Sequence, residues 1–483
     1  MEKRERTLIN ISKKTFIHVV LLLLGLMVLS IILTYVIPRG TFSITEDPAT
    51  GRIADISYNS LPEKSGIPIW KGILAPVLVF TSSDGISLIM LSLFLFVISA
   101  AFQVMNDVGG IRSIVENVSA RFRTRPVLLL VLVSFLFYCF GSFLGLFEEM
   151  LTMLPIVTAL CVVLGYDSFT GFICCILSCG FGFAGAITNP FTVLYASQLI
   201  DVNPLINIWF RILIFVVMFG LLMAFLLLYI RRIRKNPYDS MTYIHDTIYR
   251  ETMSESDNAE SPQDPKRVRI IYTAFLLVSL GLIILSSSLS ALRDYTVVIL
   301  TAYFLIGGLL VGSLTAGSFR KAGKSFANGL LGALPTLVFI SLAASIKYVL
   351  VEGCVMDTIT NQINNLINGG NIYFIALAIY LIVLVLEFFI SSSTAKAILV
   401  MGVLAMIYRS YPALGLSKEM LVLLYTFGDG YTNVIFPTSP ILLISLSMIE
   451  VNYLSWVRKS SLLFLVNFLI VVAFIILGVA VGY

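Results

Sequence analysis

Four short polar segments interrupt the long apolar stretches of this sequence, and their side chains are the ones best able to bind a small solute. Residues 141–149 and 391–396 have the composition of turns, with Gly or Ser repeated over a few positions. Residues 187–191 and 435–440 contain proline, which removes a helical donor and disfavours helix at the residue before it. The candidate binding residues are Ser142, Glu148, Glu149, Thr188, Asn189, Ser391, Ser392, Ser393, Thr394, Lys396, Asp429, Asn433, Thr438 and Ser439.

The oxygen atoms of these segments suit a hard cation and a carboxylate-bearing solute. Backbone carbonyls freed at a break, with Ser, Thr and Asn oxygens beside them, form the type of site that binds Na⁺ in transporters. The N-termini of half-helices favour an anionic group such as a carboxylate. We therefore expect Na⁺ at the turns and breaks, with Na⁺ or H⁺ as the coupling ion and no other cofactor.

Charged residues inside apolar segments give a second signal. A charge at the centre of a bilayer costs at least ~2.5–3.5 kcal/mol, so charges there usually serve a function. The pair Glu148 and Glu149 suits a cationic substrate group, an ion or a proton. Lys396 suits either a substrate carboxylate or a structural ion pair with Glu387. Asp429, shortly before the second proline-containing segment, can serve the same site.

The overall composition indicates which class of protein positions these residues. The 483 residues are 58% hydrophobic and 12% charged, with a net charge of +5, whereas an average soluble domain is about 25% charged. Several apolar runs exceed ~18 residues, the length that spans a bilayer as a helix. These features exclude an ordinary soluble enzyme, a disordered protein, a nucleic-acid binder and an outer-membrane barrel. The sequence predicts an all-α polytopic membrane protein.

The basic residues predict how the helices cross the membrane. Lys and Arg concentrate in cytoplasmic loops, and all the basic clusters fall on one side only if two segments enter the membrane and return to the same face. Residues 126–165 and 373–411 are therefore predicted as re-entrant hairpins. Nine full crossings remain, with the N-terminus cytoplasmic and the C-terminus outside. The predicted helices lie near residues 16–37, 86–106, 126–141, 149–165, 168–199, 206–232, 268–290, 294–315, 333–352, 373–390, 395–411, 418–447 and 460–482.

An internal repeat supports the same architecture. Gly165 is followed 250 positions later by Gly415, and Thr188 is followed at the same offset by Thr438. In the predicted topology the two copies run in opposite senses, as in the inverted-repeat transporters that hold a substrate near the midplane. Each repeat contributes one re-entrant hairpin and one broken helix to the site. The predicted divisions are residues 1–231 for the first repeat, 232–267 for a flexible cytoplasmic linker and 268–483 for the second, inverted repeat.

A different class of protein fits part of this pattern. Asp167 and Asp429 are similar to the paired aspartates of intramembrane aspartyl hydrolases. However, Thr426 stands where that motif has Gly, and Asp167 lies at a predicted helix edge. We expect Asp167 and Arg211 at the membrane interface, and the hydrolase remains the alternative of another class.

The motifs together resemble the YfcC-like branch of the C4-dicarboxylate anaerobic carrier (DcuC) family, which belongs to the ion-transporter superfamily. The resemblance extends over nearly the whole chain, and it implies an inner-membrane secondary transporter of the elevator type. Paired hairpins, broken helices and a homodimer are also implied. The residues that carry the resemblance are Gly141, Glu148, Glu149, Gly165, Asp167, residues 188–191, 391–393 and 427–430, Asn433 and residues 437–439.

The resemblance implies two classes of substrate. Relatives are described as dicarboxylate carriers, whereas YfcC-like members are regarded as basic amino-acid or arginine/ornithine antiporters. By this resemblance the hairpin tips, Asn189, Thr438 and Ser439 line the substrate and ion sites. The sequence departs from many relatives after Ser393, where Lys396 closes the turn and no Gly follows the serines. The added cation is unfavourable for a purely cationic substrate.

We therefore predict a secondary active transporter, either a symporter or an exchanger, and not an enzyme. The favoured substrate is a small carboxylate-bearing amino acid such as arginine or ornithine, because of Glu148 and Glu149. The alternative substrate is a C4-dicarboxylate, because of Lys396. The predicted location is the inner (plasma) membrane, and the predicted partners are the small-molecule substrate, the lipid bilayer and a second copy of the chain, without nucleic acid.

Overall fold

Helices build almost all of the described chain. The structure is a computed structural model. It describes residues 13–46, 53–61, 66–83, 85–122, 124–255, 264–289, 291–292, 295–359, 361, 371–389, 397, 400–401, 404, 408 and 415–483.

The first half of the chain contains long apolar helices and several short ones. Leu, Ile, Val and Phe fill the long helices, and helical hydrogen bonds satisfy the backbone groups that lipid cannot bond. In chain order these helices are α1 (Lys13–Val36), α2 (Ile69–Ile73), α3 (Ala75–Leu78), α4 (Gly85–Asp107), α5 (Gly110–Phe122), α6 (Pro126–Cys139), α7 (Leu154–Val163), α8 (Ser168–Phe172), α9 (Ser178–Ala184), α10 (Tyr195–Leu199) and α11 (Ile208–Lys235).

The second half also contains long apolar helices with shorter ones between them, after one helix in the linker. These helices are α12 (Tyr243–Glu255), α13 (Pro265–Ser288), α14 (Thr296–Ala316), α15 (Phe319–Gly332), α16 (Leu334–Glu352), α17 (Ile372–Phe389), α18 (Lys418–Asp429), α19 (Pro440–Met448) and α20 (Tyr453–Val481). Single turns of π-helix lie at Phe140–Leu144, Ile173–Leu177 and Pro190–Leu194, and short 3-10 helices lie at Val79–Thr81, Glu148–Thr152, Pro237–Asp239 and Tyr431–Val434.

Nine helical segments of the described chain are long and apolar enough to cross a membrane. The chain is therefore a multi-pass membrane protein, as the composition predicts. The number equals that of the predicted crossings, but the members differ. Pro126–Leu144 and Ile372–Phe389 are among the nine, although the charge pattern predicts them as arms of hairpins. The two predicted broken helices are absent from the nine because each one is divided into shorter pieces.

A small β-hairpin is an exception to the all-α prediction. Strands β1 (Gly40–Glu46) and β2 (Ile53–Ser60) pair antiparallel between α1 and α2. The Gly40 amide donates to the Cys354 carbonyl at 2.9 Å, and the Tyr58 and Thr358 hydroxyls lie 2.9 Å apart. The hairpin is thereby joined to residues 354–358, which follow α16. Alternating polar and apolar residues in both strands are the signal for it.

Two groups of helices pack around separate parts of the apolar core. In the first group α4 lies against α14 and α15, α1 lies against α16, and α13 lies against α5 and α14. In the second group α6, α9 and α11 pack together, and α18 packs against α9 and α17. The Trp456 ring of α20 contacts the Phe172 ring at a centroid distance of 5.2 Å. Among the candidate site residues, Asp429 ends α18 of the second group, Ser142 follows α6, and Asn189 follows α9.

The first part of the linker is helical and attached to the protein, which differs from the flexible linker that the sequence predicts. Asp246 of α12 is 2% exposed. Its carboxylate accepts from the Ser168 amide at 2.9 Å, from the Ser168 hydroxyl and from the Thr242 hydroxyl at 2.6 Å. Arg250 donates to the Tyr166 carbonyl at 2.6 Å. These bonds fix α12 to the start of α8.

Candidate functional site

The tip of the first predicted hairpin lies directly against the first helix break. Ser142 is fully buried, and its hydroxyl donates to the Gly185 carbonyl at 2.8 Å. The same hydroxyl accepts from the Ile187 amide at 3.2 Å, and the Ser142 carbonyl accepts from the Thr188 amide at 3.3 Å. The Thr188 hydroxyl donates to the Phe143 carbonyl at 3.3 Å. One serine therefore satisfies the backbone that the break leaves without helical partners.

Asn189 connects the tip to the next helical segment. Its amide group donates to the Gly141 carbonyl at 3.0 Å. Its side-chain oxygen accepts from the Phe191 and Thr192 amides at 2.9 and 3.3 Å and so caps the segment that begins at Pro190. This is the role of an N-cap residue, with Pro at the first helical position. Asn189 is fully buried.

Gly145 ends the tip in a backbone conformation that favours glycine. Its φ is +68°, and a Cβ at this position would lie 2.6 Å from the Asn189 side-chain oxygen. Gly141 is equally constrained, because a Cβ there would lie 2.1 Å from the Cys179 carbonyl oxygen. Both glycines are therefore required for the close approach of tip and break.

The carboxylates of Glu148 and Glu149 lie just after the tip, in the 3-10 helix Glu148–Thr152. Glu149 is buried and Glu148 is half-buried. Neither forms an ion pair with a Lys, Arg or His in the described part of the chain. Cys179 of α9 lies close enough to Glu149 for the two to interact electrostatically. The Glu149 carboxyl group is thus held beside α9, near the break that α9 leads into.

The second break lies between Tyr431–Val434 and α19, as the sequence predicts. The Ser439 hydroxyl caps α19 by accepting from the Leu442 amide at 3.5 Å, and Thr438 and Ser439 are each 5% exposed. The Trp456 indole donates to the Val434 carbonyl at 3.0 Å, and the Tyr453 hydroxyl donates to the Ile435 carbonyl at 2.9 Å. Side chains of α20 therefore bind the carbonyls released at this break.

Asp429 and Asn433 lie on the stretch before the second break. Asp429 ends α18 and is fully buried. The Asn433 amide donates to the Asp429 carbonyl at 2.9 Å and to the Gly430 carbonyl at 3.3 Å. The NH₂ group of Asn433 therefore supports the local backbone, and its side-chain oxygen remains the atom suited to a ligand.

The two broken helices cross each other antiparallel at glycines. A Cβ on Gly180 would lie 2.4 Å from the Val434 Cγ1 atom, and a Cβ on Gly430 would lie 2.5 Å from the Ala184 Cα atom. The earlier residue of each segment meets the later residue of the other. Val434 lies 250 positions after Ala184, and Gly430 lies 250 positions after Gly180. The two contacts are therefore the same pair of positions exchanged between the segments.

Other local features recur at the same offset. The Asp167 carboxylate caps α8 by accepting from the Thr170 amide at 2.8 Å, and the Ser417 hydroxyl caps α18 by accepting from the Met420 amide at 2.9 Å. Each cap has its counterpart 250 positions away. The offset also relates the caps Asn189 and Ser439, and it relates Gly165 to Gly415, both with left-handed backbone at φ 86° and 75°.

Part of the predicted site lies outside the described residues. The second predicted hairpin tip falls there, with Ser391, Ser392, Ser393, Thr394 and Lys396. The described residues contain no group of three or more His, Cys, Asp or Glu side chains placed to hold a metal ion. An Na⁺ site built from carbonyl and hydroxyl oxygens remains an expectation.

Asp167 and Asp429 are not neighbours, which removes the geometric basis for a hydrolase. Asp429 directly precedes Gly430, and Gly430 packs against Ala184. Asp167 precedes Ala184 by most of the broken helix, about 25 Å at 1.5 Å per residue. Asp167 is instead bonded to the Tyr229 hydroxyl at 2.5 Å and the Ser240 hydroxyl at 2.6 Å. Its carboxylate therefore anchors the linker and the end of α11.

The location of Asp167 and Arg211 at the membrane interface stays a prediction, but both side chains are covered by protein and not by solvent. Asp167 is 4% exposed and Arg211 is 2% exposed. The Arg211 guanidinium donates to the Ala186 carbonyl at 3.3 Å, within the first break. The signal in the sequence is an isolated charge in the first turn of a helix that is otherwise apolar as far as Ile230. Its proximity to the break depends on the packing of α11 against α9 and could not be predicted from the sequence.

Comparison with known proteins identifies the family. The sequence pattern of the DcuC family, described as C4-dicarboxylate anaerobic carriers, matches residues 16–480. The chain belongs to the C4-dicarboxylate anaerobic carrier family. The predicted family is thereby confirmed, and this DcuC-family chain is a membrane transporter.

Two relatives resemble the DcuC-family chain over most of their length. YfcC of Escherichia coli K12, named as a candidate basic amino acid antiporter, is 26% identical over 402 residues, which is 80% of this chain and 77% of YfcC. A protein of Haemophilus influenzae without a described activity is 24% identical over 369 residues, which is 76% of this chain and 70% of that protein.

Two solved structures of membrane transporters match the DcuC-family chain over most of its length. The YdaH transporter of Alcanivorax borkumensis is 16% identical with a TM-score of 0.42, and the match covers 95% of this chain and 99% of YdaH. MtrF of Neisseria gonorrhoeae, from a class of antimetabolite efflux pumps, is 17% identical with a TM-score of 0.44, covering 95% of this chain and 94% of MtrF.

Proposed function

We propose that this chain is a secondary active transporter that moves a small carboxylate-bearing solute by exchange or symport. The observation that chiefly supports the proposal is the contact between the hairpin tip and the first break, where Ser142 binds Gly185, Ile187 and Thr188. Non-helical backbone inside a membrane protein is tolerated where protein or a water-filled cavity satisfies it, and transporters place their sites at such breaks.

The proposed architecture is an inverted repeat with two re-entrant hairpins. The exchanged contacts of Gly180 with Val434 and of Gly430 with Ala184 support it, because an approximate twofold axis between the broken helices produces such pairs. In this arrangement the second helix group carries the solute and moves against the first group, as in an elevator. The two breaks then lie near the axis, and the substrate binds between them.

The favoured substrate is a basic amino acid such as arginine or ornithine. Glu148 and Glu149 offer two carboxyl groups beside the tip, and they have no ion-pair partner among the described residues. A guanidinium or ammonium group supplies the missing positive charge. The name of the relative YfcC, which refers to basic amino acids, agrees with this substrate.

A C4-dicarboxylate is the second candidate. The family description and the cation Lys396 in the second turn favour it. Two carboxylates on the substrate require two cationic or amide-rich subsites, whereas a basic amino acid requires one of each sign. The choice between the two substrates is therefore a question about charge at the site.

The proposed location is the inner membrane, with the N-terminus cytoplasmic and the C-terminus outside. The basic end of α11 with Arg231, Arg232, Arg234 and Lys235 then lies in the cytoplasm, as the charge rule requires. The coupling ion is proposed as Na⁺ or H⁺, held by the hydroxyl and carbonyl oxygens of the tips and breaks.

The test is solute uptake by proteoliposomes that contain the purified protein. We expect labelled arginine to enter vesicles that are preloaded with arginine or ornithine faster than it enters vesicles without internal substrate. Glu149→Gln should lower that uptake by about tenfold, equivalent to about 1.4 kcal/mol, because a neutral amide does not attract the cationic side chain. Glu116→Gln, at an exposed carboxylate on α5, is the matched control and should leave uptake unchanged.

The alternative outcomes are distinct. Uptake of labelled succinate without uptake of arginine would support the C4-dicarboxylate as the substrate. If neither solute enters vesicles under exchange conditions or under imposed Na⁺ and pH gradients, this proposed function is wrong.

A further inference from the structure

Arg211 is a buried cation at the first break to which the proposed site assigns no role. It is 2% exposed, and no other Lys or Arg is buried in the part of the chain that the structure describes. The remaining buried charges are all carboxylates: Glu149, Asp167, Asp246, Glu387 and Asp429. A buried positive charge in a membrane-spanning helix is costly and is seldom retained without a function.

The position of Arg211 places it within reach of the proposed binding site. It lies in the first turn of α11, and its guanidinium reaches the Ala186 carbonyl at 3.3 Å. Ala186 is followed directly by Ile187 and Thr188, whose amides bind Ser142 of the hairpin tip. One turn further along α11, the Phe215 ring lies 5.7 Å from the Phe143 ring of the tip. The guanidinium and the tip therefore adjoin the same break.

The described partners of Arg211 are neutral. Besides the Ala186 carbonyl, the guanidinium interacts with the phenol of Tyr483. Glu419 lies close enough to the same phenol to interact with it electrostatically. No carboxylate of the described residues lies within ion-pair distance of Arg211. A guanidinium has five N–H donors in a planar fork, so two neutral acceptors leave its charge and much of its hydrogen-bonding capacity for another group.

We propose that Arg211 binds the carboxylate of the transported solute, a role that rests on the proposed function. A guanidinium binds carboxylates through two parallel hydrogen bonds, and burial strengthens such a pair. For a basic amino acid, Glu148 and Glu149 then bind the cationic end and Arg211 binds the carboxylate end. For a dicarboxylate, Arg211 binds one of the two acidic groups. Arg211 is thus the specificity residue for the feature that both candidate substrates share.

A purely structural role makes a different prediction. As a cap on the carbonyl end of α9, Arg211 would stabilise the protein without distinguishing one solute from another. Replacing it would then lower the melting temperature of the ligand-free protein and leave the relative affinities of acids and amides unchanged. The ratio of those affinities is therefore the informative measurement.

The experiment measures the binding of acid and amide pairs to the purified protein in lipid nanodiscs. The probes are arginine with argininamide and succinate with succinamide, compared for wild type, Arg211→Lys and Arg211→Gln. In at least one pair we expect wild type to bind the acid about tenfold or more tightly than the amide. Arg211→Gln should abolish that preference, and Arg211→Lys should retain part of it because the charge remains without the fork.

Arg231→Gln is the matched control, since Arg231 lies on the same helix but is exposed. It should keep the wild-type preference. The proposal is overturned if Arg211→Gln keeps the full preference for the acid, or if wild type shows no preference in either pair. Uptake by wild-type proteoliposomes, measured in parallel, tests the proposed function separately from the role of Arg211. If the protein transports the solute but its preference for the acid does not depend on Arg211, the proposed function stands and only the role of this residue is wrong.

Discussion

At the scale of single residues, Asn189 joins two elements that would otherwise be independent. Its amide group binds the hairpin tip at the Gly141 carbonyl, and its oxygen caps the segment that starts at Pro190. Donor and acceptor of one side chain are therefore divided between the tip and the half-helix. A residue with only one of these groups cannot serve both elements.

Asn189→Ala should damage transport more than its effect on stability suggests. Loss of an N-cap costs about 0.5–2 kcal/mol, and a buried carbonyl without a donor costs about 1–3 kcal/mol more. We expect a lower melting temperature and uptake reduced by about tenfold or more, because tip and break are no longer joined. Asn189→Asp should keep the cap and lose the bond to Gly141. Melting temperature and uptake in proteoliposomes are the two measurements.

Asp264 provides the matched control for this prediction. Its carboxylate caps α13 by accepting from the Arg267 amide at 3.1 Å, on a helix of the first group that packs against α5 and α14. Asp264→Ala should therefore lower stability by an amount typical of a lost cap and leave uptake nearly unchanged. Equal losses of uptake in the two alanine variants would contradict the proposed role of Asn189.

The sequence predicts these residues to different degrees. Ser142 and Asn189 stand out because polar side chains beside glycine or proline interrupt apolar runs, and the structure brings them together. The burial of Arg211 could not be predicted, since a charge near a helix end is usually solvated and its cover comes from the distant residue Tyr483. The sequence indicates where a residue lies along a helix, but it does not indicate which residues from other elements cover its side chain.

At the scale of elements, the glycines Gly180 and Gly430 determine how closely the broken helices approach. The obstacle is different in the two contacts. A Cβ on Gly180 meets the Val434 side chain, whereas a Cβ on Gly430 meets the Ala184 backbone, with its N atom at 2.7 Å. A side chain can be shortened, but a backbone cannot.

Gly180→Ala should therefore destabilise the protein by about 1–3 kcal/mol through overpacking. Adding Val434→Ala should restore part of the lost stability, because the shorter side chain leaves room for the new Cβ. Gly430→Ala should be destabilising without such rescue by Ala184→Gly, because the backbone atoms remain. Thermal unfolding of the single and double variants in one detergent measures the coupling.

Gly220→Ala in α11 is the control for helix propensity. A Cβ at Gly220 meets nothing within 4 Å, so this change should be neutral or stabilising by up to ~1 kcal/mol. If Gly180→Ala behaves like Gly220→Ala, the close crossing of the two helices is wrong.

The linker shows why some elements escape prediction from sequence. Residues 236–255 are polar and contain Asp, Asn, Ser and Thr, a composition typical of loops. In the structure Asp246 receives hydrogen bonds from Ser168 and Thr242, so polarity here serves attachment and not solvation. Composition records how many polar groups a segment has, whereas the partners of those groups depend on the tertiary fold.

At the scale of the whole molecule, two hydrogen bonds mark opposite ends of the second helix group. Lys418 donates to the Asp201 carbonyl at 3.1 Å, and Lys459 donates to the Asp239 carbonyl at 3.3 Å. Between these two ends runs α11, with 28 residues and a length of about 42 Å at 1.5 Å per residue. That length exceeds the ~30 Å hydrocarbon thickness, so the two ends belong on opposite sides of the membrane.

Single cysteines at the two ends should consequently react from opposite sides. Leu205 and Tyr238 flank α11 and are 53% and 75% exposed, so Leu205→Cys and Tyr238→Cys present accessible thiols. In a background with the two partly exposed native cysteines Cys139 and Cys354 replaced, a membrane-impermeant maleimide applied to the outer face of the inner membrane should label position 205. Position 238 should be labelled only after permeabilisation, because the proposed orientation puts the neighbouring basic cluster in the cytoplasm. Labelling of both positions from one side would exclude α11 as a full crossing. Reversed labelling would preserve the crossing and invert the proposed orientation.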